Sequence, residues 1–403
     1  MLDPRDLATR RDEIVESCRR RRVVVDVDEA IARYRRVAAL QTELEAANRL
    51  RNEHGKRKGD PAEGRRLKEE ATRLEAELAA ARAAFDEIHR RIPNFVHPEA
   101  PVGGEQDYRV LRQVGEPRPG GLDHLALAAK LDLVDFEGGA RVAGQKWYFL
   151  KNEAVLLELA LQRYAIDVLR AENFTLYATP DVARPEIVEG TGFDPRGEET
   201  QIYSLANADL CLIGTAEITL GGLHADSILE ELPLRLAGVS HCFRTEAGAA
   251  GRESKGLYRV HQFTKVEMFA YVKPEDSEAM HAELLAIEER IFQGLEIPYR
   301  VIDTATGDLG APAYRKFDVE AWMPGRGDWG EVTSTSNCTD YQARRLRIRF
   351  RRDKKAELVH TLNGTALAVP RTLVALLENH QRPDGSVAIP KALQPYLGLE
   401  RLG

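Results

Sequence analysis

The chain has 403 residues, 43% of them apolar and 30% charged, and a net charge of −7 at pH 7. That length admits two or more domains around a sizeable core, while no run is apolar enough to span a membrane and the first twenty residues are too charged for a secretory signal. Four scattered cysteines (Cys18, Cys211, Cys242, Cys338) without CxxC spacing argue against a disulfide framework or zinc site and for a reducing, cytoplasmic setting.

Charge is unevenly placed. Residues 1–91 carry 22 Lys+Arg against 19 Asp+Glu, and the remainder 35 against 45. Between Arg49 and Arg73 nine basic residues stand with five acidic ones. A basic segment on an acidic body is the asymmetry of a chain that meets nucleic acid with one part only.

In chain order, residues 1 to about 20 read as a short helix ending in the run Arg19–Arg22. From about Asp28 to His54 the pattern is helical, with Val37, Leu40, Leu44 and Ala47 stepping by three and four. Leu67, Ala71, Leu74, Leu78, Ala81, Phe85 and Ile88 then alternate four and three without a miss. Both are narrow apolar seams, and the breaker-rich stretch 55–64 between them is a turn. The spacing predicts an antiparallel helical hairpin over about 28–90. A proline-rich linker follows, and the glycine pair Gly103-Gly104 sets the expected boundary between domains 1–103 and 104–403.

Beyond it the pattern is mixed. A helix is predicted over about Asn152–Glu172, strands near Phe174–Tyr177 and Gln201–Ser204, and a helix over Ser277–Gln293. Strands are then predicted at Lys316–Ala321, Gly330–Ser334, Arg345–Phe350 and Glu357–Leu362, and a helix at Ala366–His380. Short loops between strands imply an α+β fold, an antiparallel sheet with helices on one face. Neither GxxxxGK[ST] nor a strand–GxGxxG–helix context is present, so a bound nucleotide must be held by other means.

The stretch Phe243–Glu267 is the most informative. A strand breaks into a glycine-rich charged loop (Gly248–Gly256) and resumes toward Tyr271. Alternation puts Arg259, His261, Phe263, Lys265 and Glu267 on one face, Tyr258, Val260, Gln262, Val266 and Met268 on the other, and Arg244 with Glu246 together on the incoming strand. A solvated outer face carries charge in this way too. The ring of Phe263 in mid-face and the glycine and positive charge of the loop favour a nucleotide site, since arginine suits phosphate and carboxylate.

This hairpin resembles motif 2 of class II aminoacyl-tRNA synthetases, closest in wording to the seryl-tRNA synthetase family. Leu169–Pro180 is similar to motif 1, the dimer element. Thr215-Ala216-Glu217 resembles the TxE signature, read here on an extended segment, although alone it would pass for a surface pair. Glu331-Val-Thr-Ser334 resembles the metal-binding strand. Residues three apart on a regular strand face opposite ways, so a bulge is expected there. Thr335 stands where many members have cysteine. Asn363-Gly-Thr-Ala-Leu-Ala-Val-Pro-Arg371 resembles motif 3, with Pro370 in place of a common glycine. On its own Arg371 reads equally as a snorkelling surface arginine.

The resemblance spans nearly the whole chain. It implies a class II antiparallel-sheet catalytic domain behind a coiled-coil arm, and a ligase that activates L-serine with ATP and transfers it to tRNA(Ser). tRNA(Sec) is admitted as a second acceptor. A paralogue loading serine onto another acceptor is the alternative, and the basic arm argues against it. The resemblance further implies Arg244, Arg259 and Arg371 as catalytic residues. Thr215, Glu217, Arg244, Glu267, Asn363 and Thr365 are implied for serine. Arg244, Glu246, Arg259, Val260, Phe263, Glu331, Ser334 and Arg371 are implied for ATP, with Glu331 and Ser334 also holding Mg²⁺. A homodimer is expected, with no membrane or DNA partner.

Overall fold

The computed structural model of the chain describes residues 1–57, 59–195, 200–247 and 256–403. Lys58 and most of the glycine-rich loop named above (248–255) lie outside the described residues. The chain forms two compact units, Met1–Val96 and His97–Gly403. Residues ahead of the glycine pair 103–104 already belong to the second unit: His97 N donates to Tyr314 O, and Pro101 O and Gly103 O accept from Thr306 N and Gly307 N.

In the first unit, helices α1 (Val27–Lys56) and α2 (Pro61–Arg90) form the hairpin. Asp26 caps α1 by accepting from Glu29 N, and Asp60 caps α2 ahead of a first-turn proline. Leu40, Leu44 and Ala47 bury against Ala71, Leu74 and Leu78, as the seam predicts. Each fully buried leucine contributes about 1.5–3 kcal/mol of transfer free energy. Phe85 and Ile88 instead close a second cluster with Leu7, Ile14 and Cys18. That base is built from two short helices, Asp6–Thr9 and Arg11–Arg20, where one had been expected.

The second unit is organised by an eight-stranded sheet. Its strands are β1 (Arg109–Val114), β2 (Thr175–Ala178), β3 (Leu234–Phe243), β4 (Gln262–Val272), β5 (Tyr299–Asp303), β6 (Arg315–Met323), β7 (Asp328–Asn337) and β8 (His360–Ala368). They lie in the order β1-β5-β6-β7-β8-β4-β3-β2. All pairings are antiparallel except β2 with β3. Helices α3 (Glu153–Ala171), α5 (Ser277–Gly294) and α7 (Val369–Asn379) cover one face, against Val266, Met268, Ala270 and Val272. Short helices α4 (Ala216–Gly222) and α6 (Tyr341–Leu346) pack on the other, against Phe269 and Tyr271, so helices are not confined to one face.

Three further expectations are corrected. Residues 341–346 are helical where a strand from Arg345 was expected, and that strand runs Arg349–Arg352. Motif 3 opens on a central strand, with α7 starting at Val369 and Pro370 in its first turn, where a proline lacks no bond. Only Thr215 itself is extended: its hydroxyl accepts from Glu217 N and starts α4, which puts Glu217 in a helical turn.

Two bulges shape the middle of the sheet. Val319 pairs with Thr333 but Glu320 with Glu331, so Val332 is the extra residue on β7. On β8, Thr365 pairs with Glu267 and Leu367 with Val266, leaving Ala366 over. Between Asn363 and Thr365, Gly364 faces the helical layer. A Cβ there would sit 3.0 Å from Glu288 Oε1 and 3.1 Å from Thr335 Oγ1 and Met268 Cε. We expect Gly364→Ala to cost about 1–3 kcal/mol through this overpacking. Gly55→Ala, in α1 with nothing within 4 Å, should gain a few tenths to about 1 kcal/mol. Thermal unfolding of the two variants checks both signs.

Candidate active site

Strands β4, β7 and β8, the N-terminus of α4 and the first turn of α7 enclose a cleft of about 750 Å³, counting its open mouth. Thr215, Glu217, Arg244, Glu246, Arg259, Val260, Phe263, Glu267, Glu331, Ser334, Asn363, Thr365 and Arg371 all line it. Every residue that the resemblance implies is therefore brought to one place. The bulge at Val332 turns Glu331 and Ser334 onto the same face, which a regular strand could not do.

Alternation fails on one stretch. The returning strand starts at Gln262 and is preceded by a 3₁₀ turn at Gly256–Tyr258. Tyr258 and Val260, assigned to the apolar face, line the cleft, while His261 does not and bonds the Arg244 carbonyl through Nδ1. The incoming strand likewise ends at Phe243, and Glu246 reaches the cleft with a left-handed φ of 55°. Phe193, Leu257 and Thr333 also line the cleft. Phe193 follows Gly192, the left-handed cap of a short helix, and that cap was its one visible signal.

Among the described residues four cations and four carboxylates line this cleft, and three pairs neutralise each other. Arg259 Nη1 donates to Glu246 Oε2 at 2.7 Å. Lys265 Nζ lies 2.5 Å from Glu267 Oε2, which also accepts from the Thr365 hydroxyl at 3.2 Å. Arg371 Nη1 lies 3.1 Å from Glu331 Oε2. Desolvation works against the charge on Glu331, but Arg371 and then Lys316 outweigh it and hold its pKa at about 2. Burial here demands such pairing, because a lone desolvated charge costs several kcal/mol.

Two charged groups are left over. Among the described residues Arg244 has no ion-pair partner. Its Nε donates to Gly214 O at 3.3 Å, and its guanidinium carbon lies 5.4 Å from the centre of the Phe263 ring. Glu217 likewise faces no cation at bonding distance among the described residues, and its Oε1 accepts from Gln342 Nε2 at 2.7 Å and Asn363 Nδ2 at 2.9 Å. Burial, and then the charge of Glu267, push its pKa up to about 7. An uncompensated cation and an uncompensated carboxyl in one cleft are complementary to a zwitterion.

Glu331 and Ser334 offer two hard oxygens on one face, with Glu331 kept ionised and its side chain 40% exposed to the cleft. That set fits a Mg²⁺ completed by phosphate oxygens and water. Among the described residues no three His, Cys, Asp or Glu side chains cluster as a self-sufficient metal cage. Thr335 points away from the cleft, its hydroxyl donating to Asn363 O at 2.8 Å.

Residues 1–96 match the model for the seryl-tRNA synthetase N-terminal domain, and residues 203–380 that for the class II tRNA synthetase core domain (G, H, P, S and T). The chain is 52% identical over 426 residues to a serine–tRNA ligase of Treponema denticola, covering all of both. It is 54% identical over 420 residues to one of Rubrobacter xylanophilus, covering 100% of this chain and 99% of the relative. Among solved structures it is similar to a seryl-tRNA synthetase of Pyrococcus horikoshii complexed with ATP, with TM-score 0.91, 40% identity, and coverage of 100% and 99% of the two chains.

The Glu217 shift predicts a pH signature. Its carboxyl keeps its proton to about pH 7 when folded, against 4.5 for the ordinary group. Between those values the unfolded chain binds fewer protons, so stability falls as pH rises and levels off above 7. Glu217→Gln keeps the Oε1 acceptor and removes the titration. Its stability relative to the unmutated chain should therefore rise by roughly 2–4 kcal/mol between pH 4 and pH 8, measured by unfolding at both.

Proposed function

The chain belongs to the seryl-tRNA synthetase family of class II enzymes and carries that family's serine–tRNA ligase activity, and from that premise we propose how its own residues do the work. The observation that carries the assignment is the leftover pair. Arg244 takes the serine carboxylate and the α-phosphate, and Glu217, with the Thr215 region, takes the ammonium. Serine binding then draws the proton off Glu217, whose raised pKa leaves it poised to titrate near neutrality.

ATP is held on the sheet. Phe263 stacks on adenine, Glu246 and the backbone at Val260 read its edge, and Arg259 and Arg371 hold the outer phosphates. Glu331 and Ser334 hold Mg²⁺, which supplies charge neutralisation on the phosphates. The roles of the charged residues require present ion pairs to part, Arg259 from Glu246 and Arg371 from Glu331. The cleft is thus stable without substrate and exchanges internal partners for ligand ones.

A serine carboxylate oxygen attacks the α-phosphorus and pyrophosphate leaves in line. The tRNA 3′ hydroxyl then attacks the seryl carbonyl and AMP leaves. No side chain in the cleft is needed as a nucleophile, since orientation and charge stabilisation by the arginines suffice. The hydroxyl of serine is met by Glu267 and Thr365, already bonded to each other. Asn363 anchors Glu217 rather than reaching into the cleft alone.

The arm lies along tRNA(Ser) through phosphate and shape contacts, a reading supported by exposed Lys56, Arg57, Arg65 and Lys68 around its turn. A homodimer through motif 1 is supported by the exposed apolar side chains of Val155, Leu156 and Leu159 on α3 and Leu176 on the edge strand β2. No helix among the described residues is long and apolar enough to cross a membrane. Four free, buried cysteines support a cytoplasmic location.

Serine-dependent exchange of labelled pyrophosphate into ATP is expected without tRNA. Deleting Val37–Phe85 with a short bridge should spare that exchange and abolish aminoacylation, and loss of both would sink the division of labour. For selectivity, Glu267→Ala should lower kcat/KM for serine roughly 30- to 200-fold while lowering alanine activation much less. It also strands Lys265, so both substrates are measured on one preparation. An unchanged serine-to-alanine ratio would reduce Glu267 to the structural partner of Lys265.

A further inference from the structure

A histidine that no motif covers ties two halves of the phosphate site together. His124 and Glu378 are both almost wholly buried. Glu378 Oε1 is 2.9 Å from His124 Nδ1 and accepts from His124 N at 2.9 Å, while its Oε2 accepts from Gly325 N at 2.8 Å. On the far side of the ring, Leu257 N donates to His124 Nε2 at 3.4 Å. An acceptor at Nε2 leaves the ring proton on Nδ1, where Glu378 receives it. Gly256 makes room for the ring: its φ is +60°, and a Cβ there would fall 2.2 Å from Nε2.

The geometry at the other end of α7 completes the picture. Arg371 and Glu378 are seven residues apart, two helical turns, and so share one face of the helix. Arg371 Nε donates to Tyr258 O at 3.4 Å, and its guanidinium carbon lies 4.8 Å from the Tyr258 ring centre. The Tyr258 hydroxyl donates to Glu331 O at 3.2 Å. One face of α7 therefore grips the turn at 257–258 twice, directly by Arg371 and through His124 by Glu378. Arg259 is the next residue.

We propose that His124, held by Glu378, is a positioning residue that fixes the spacing between Arg259 on the hairpin and Arg371 on α7, and so sets ATP affinity. The inference rests on the assignment of those two arginines to the outer phosphates. They come from segments more than a hundred residues apart, yet must meet one triphosphate. His124 does not line the cleft itself.

Two near-isosteric variants separate positioning from mere packing. Gln at 124 extends as far as Nε2 and keeps an acceptor for Leu257 N. Asn reaches only as far as Nδ1 and serves Glu378 alone. Pyrophosphate exchange should give His124→Asn a KM for ATP raised about 5- to 20-fold, with the KM for serine and the unfolding midpoint nearly unchanged. His124→Gln should stay within about twofold of the unmutated enzyme. Equal effects of Asn and Gln, or parallel rises in both KM values, would overturn the proposal. Arg259→Ala serves as control. If it leaves the KM for ATP unchanged, the phosphate assignment itself fails. If it raises that KM while His124→Asn does not, the positioning role alone is wrong.

Discussion

Charge neutrality inside a cleft is the constraint on which the rest of this structure depends. Arg244, Arg259, Lys265 and Arg371 meet Glu217, Glu246, Glu267 and Glu331 within one enclosure. Most of these side chains are largely buried there, and a buried charge needs a partner or must change its protonation. Three pairs satisfy one another directly. Arg244 rests against a carbonyl and a ring, and Glu217 rests on two amides with its pKa raised. Those two are the groups with most to gain from a ligand of both signs.

The sheet exists to hold these groups in register. Its two central bulges are the devices that matter: one turns Glu331 and Ser334 to the same side, and the other, at Ala366, shifts the register just after Thr365 has paired with Glu267. Behind the cleft, Gly364 lets the strand sit down on Glu288, a carboxyl with no exposed surface whose pKa burial drives well up and whose Oε2 accepts from the Thr333 hydroxyl. That upward shift favours the uncharged acid, which bonds the strand without adding a charge beneath Glu267. Rigidity of this kind suits a reaction that needs positioning more than acid–base chemistry.

Much of this was legible in the residues. The helical hairpin followed from an unbroken four-three seam, and the converging face of Phe263, Lys265 and Glu267 from alternation along β4. The motif resemblance gathered the remaining site residues into one cleft. What failed did so for local reasons. Alternation assumes extended backbone, and the 3₁₀ turn at Gly256–Tyr258 exchanged the faces of Tyr258 and His261. Thr215 looked like an extended site residue because its role as a helix cap depends on where its hydroxyl points. His124 carried no signal at all, since its meaning comes from Leu257 and Glu378, far away in sequence.

The central claim is that Arg244 and Glu217 are held in reserve for the two charges of an amino acid, while the other cleft charges are paired until substrate replaces the partners. A crystal structure with a non-hydrolysable seryl-adenylate analogue tests this most directly through one distance, from the ligand's ammonium nitrogen to the nearest carboxylate. The account predicts about 3 Å to Glu217. An ammonium bound instead to Glu246, Glu267 or Glu331, with Glu217 still satisfied by Gln342 and Asn363 alone, would contradict it.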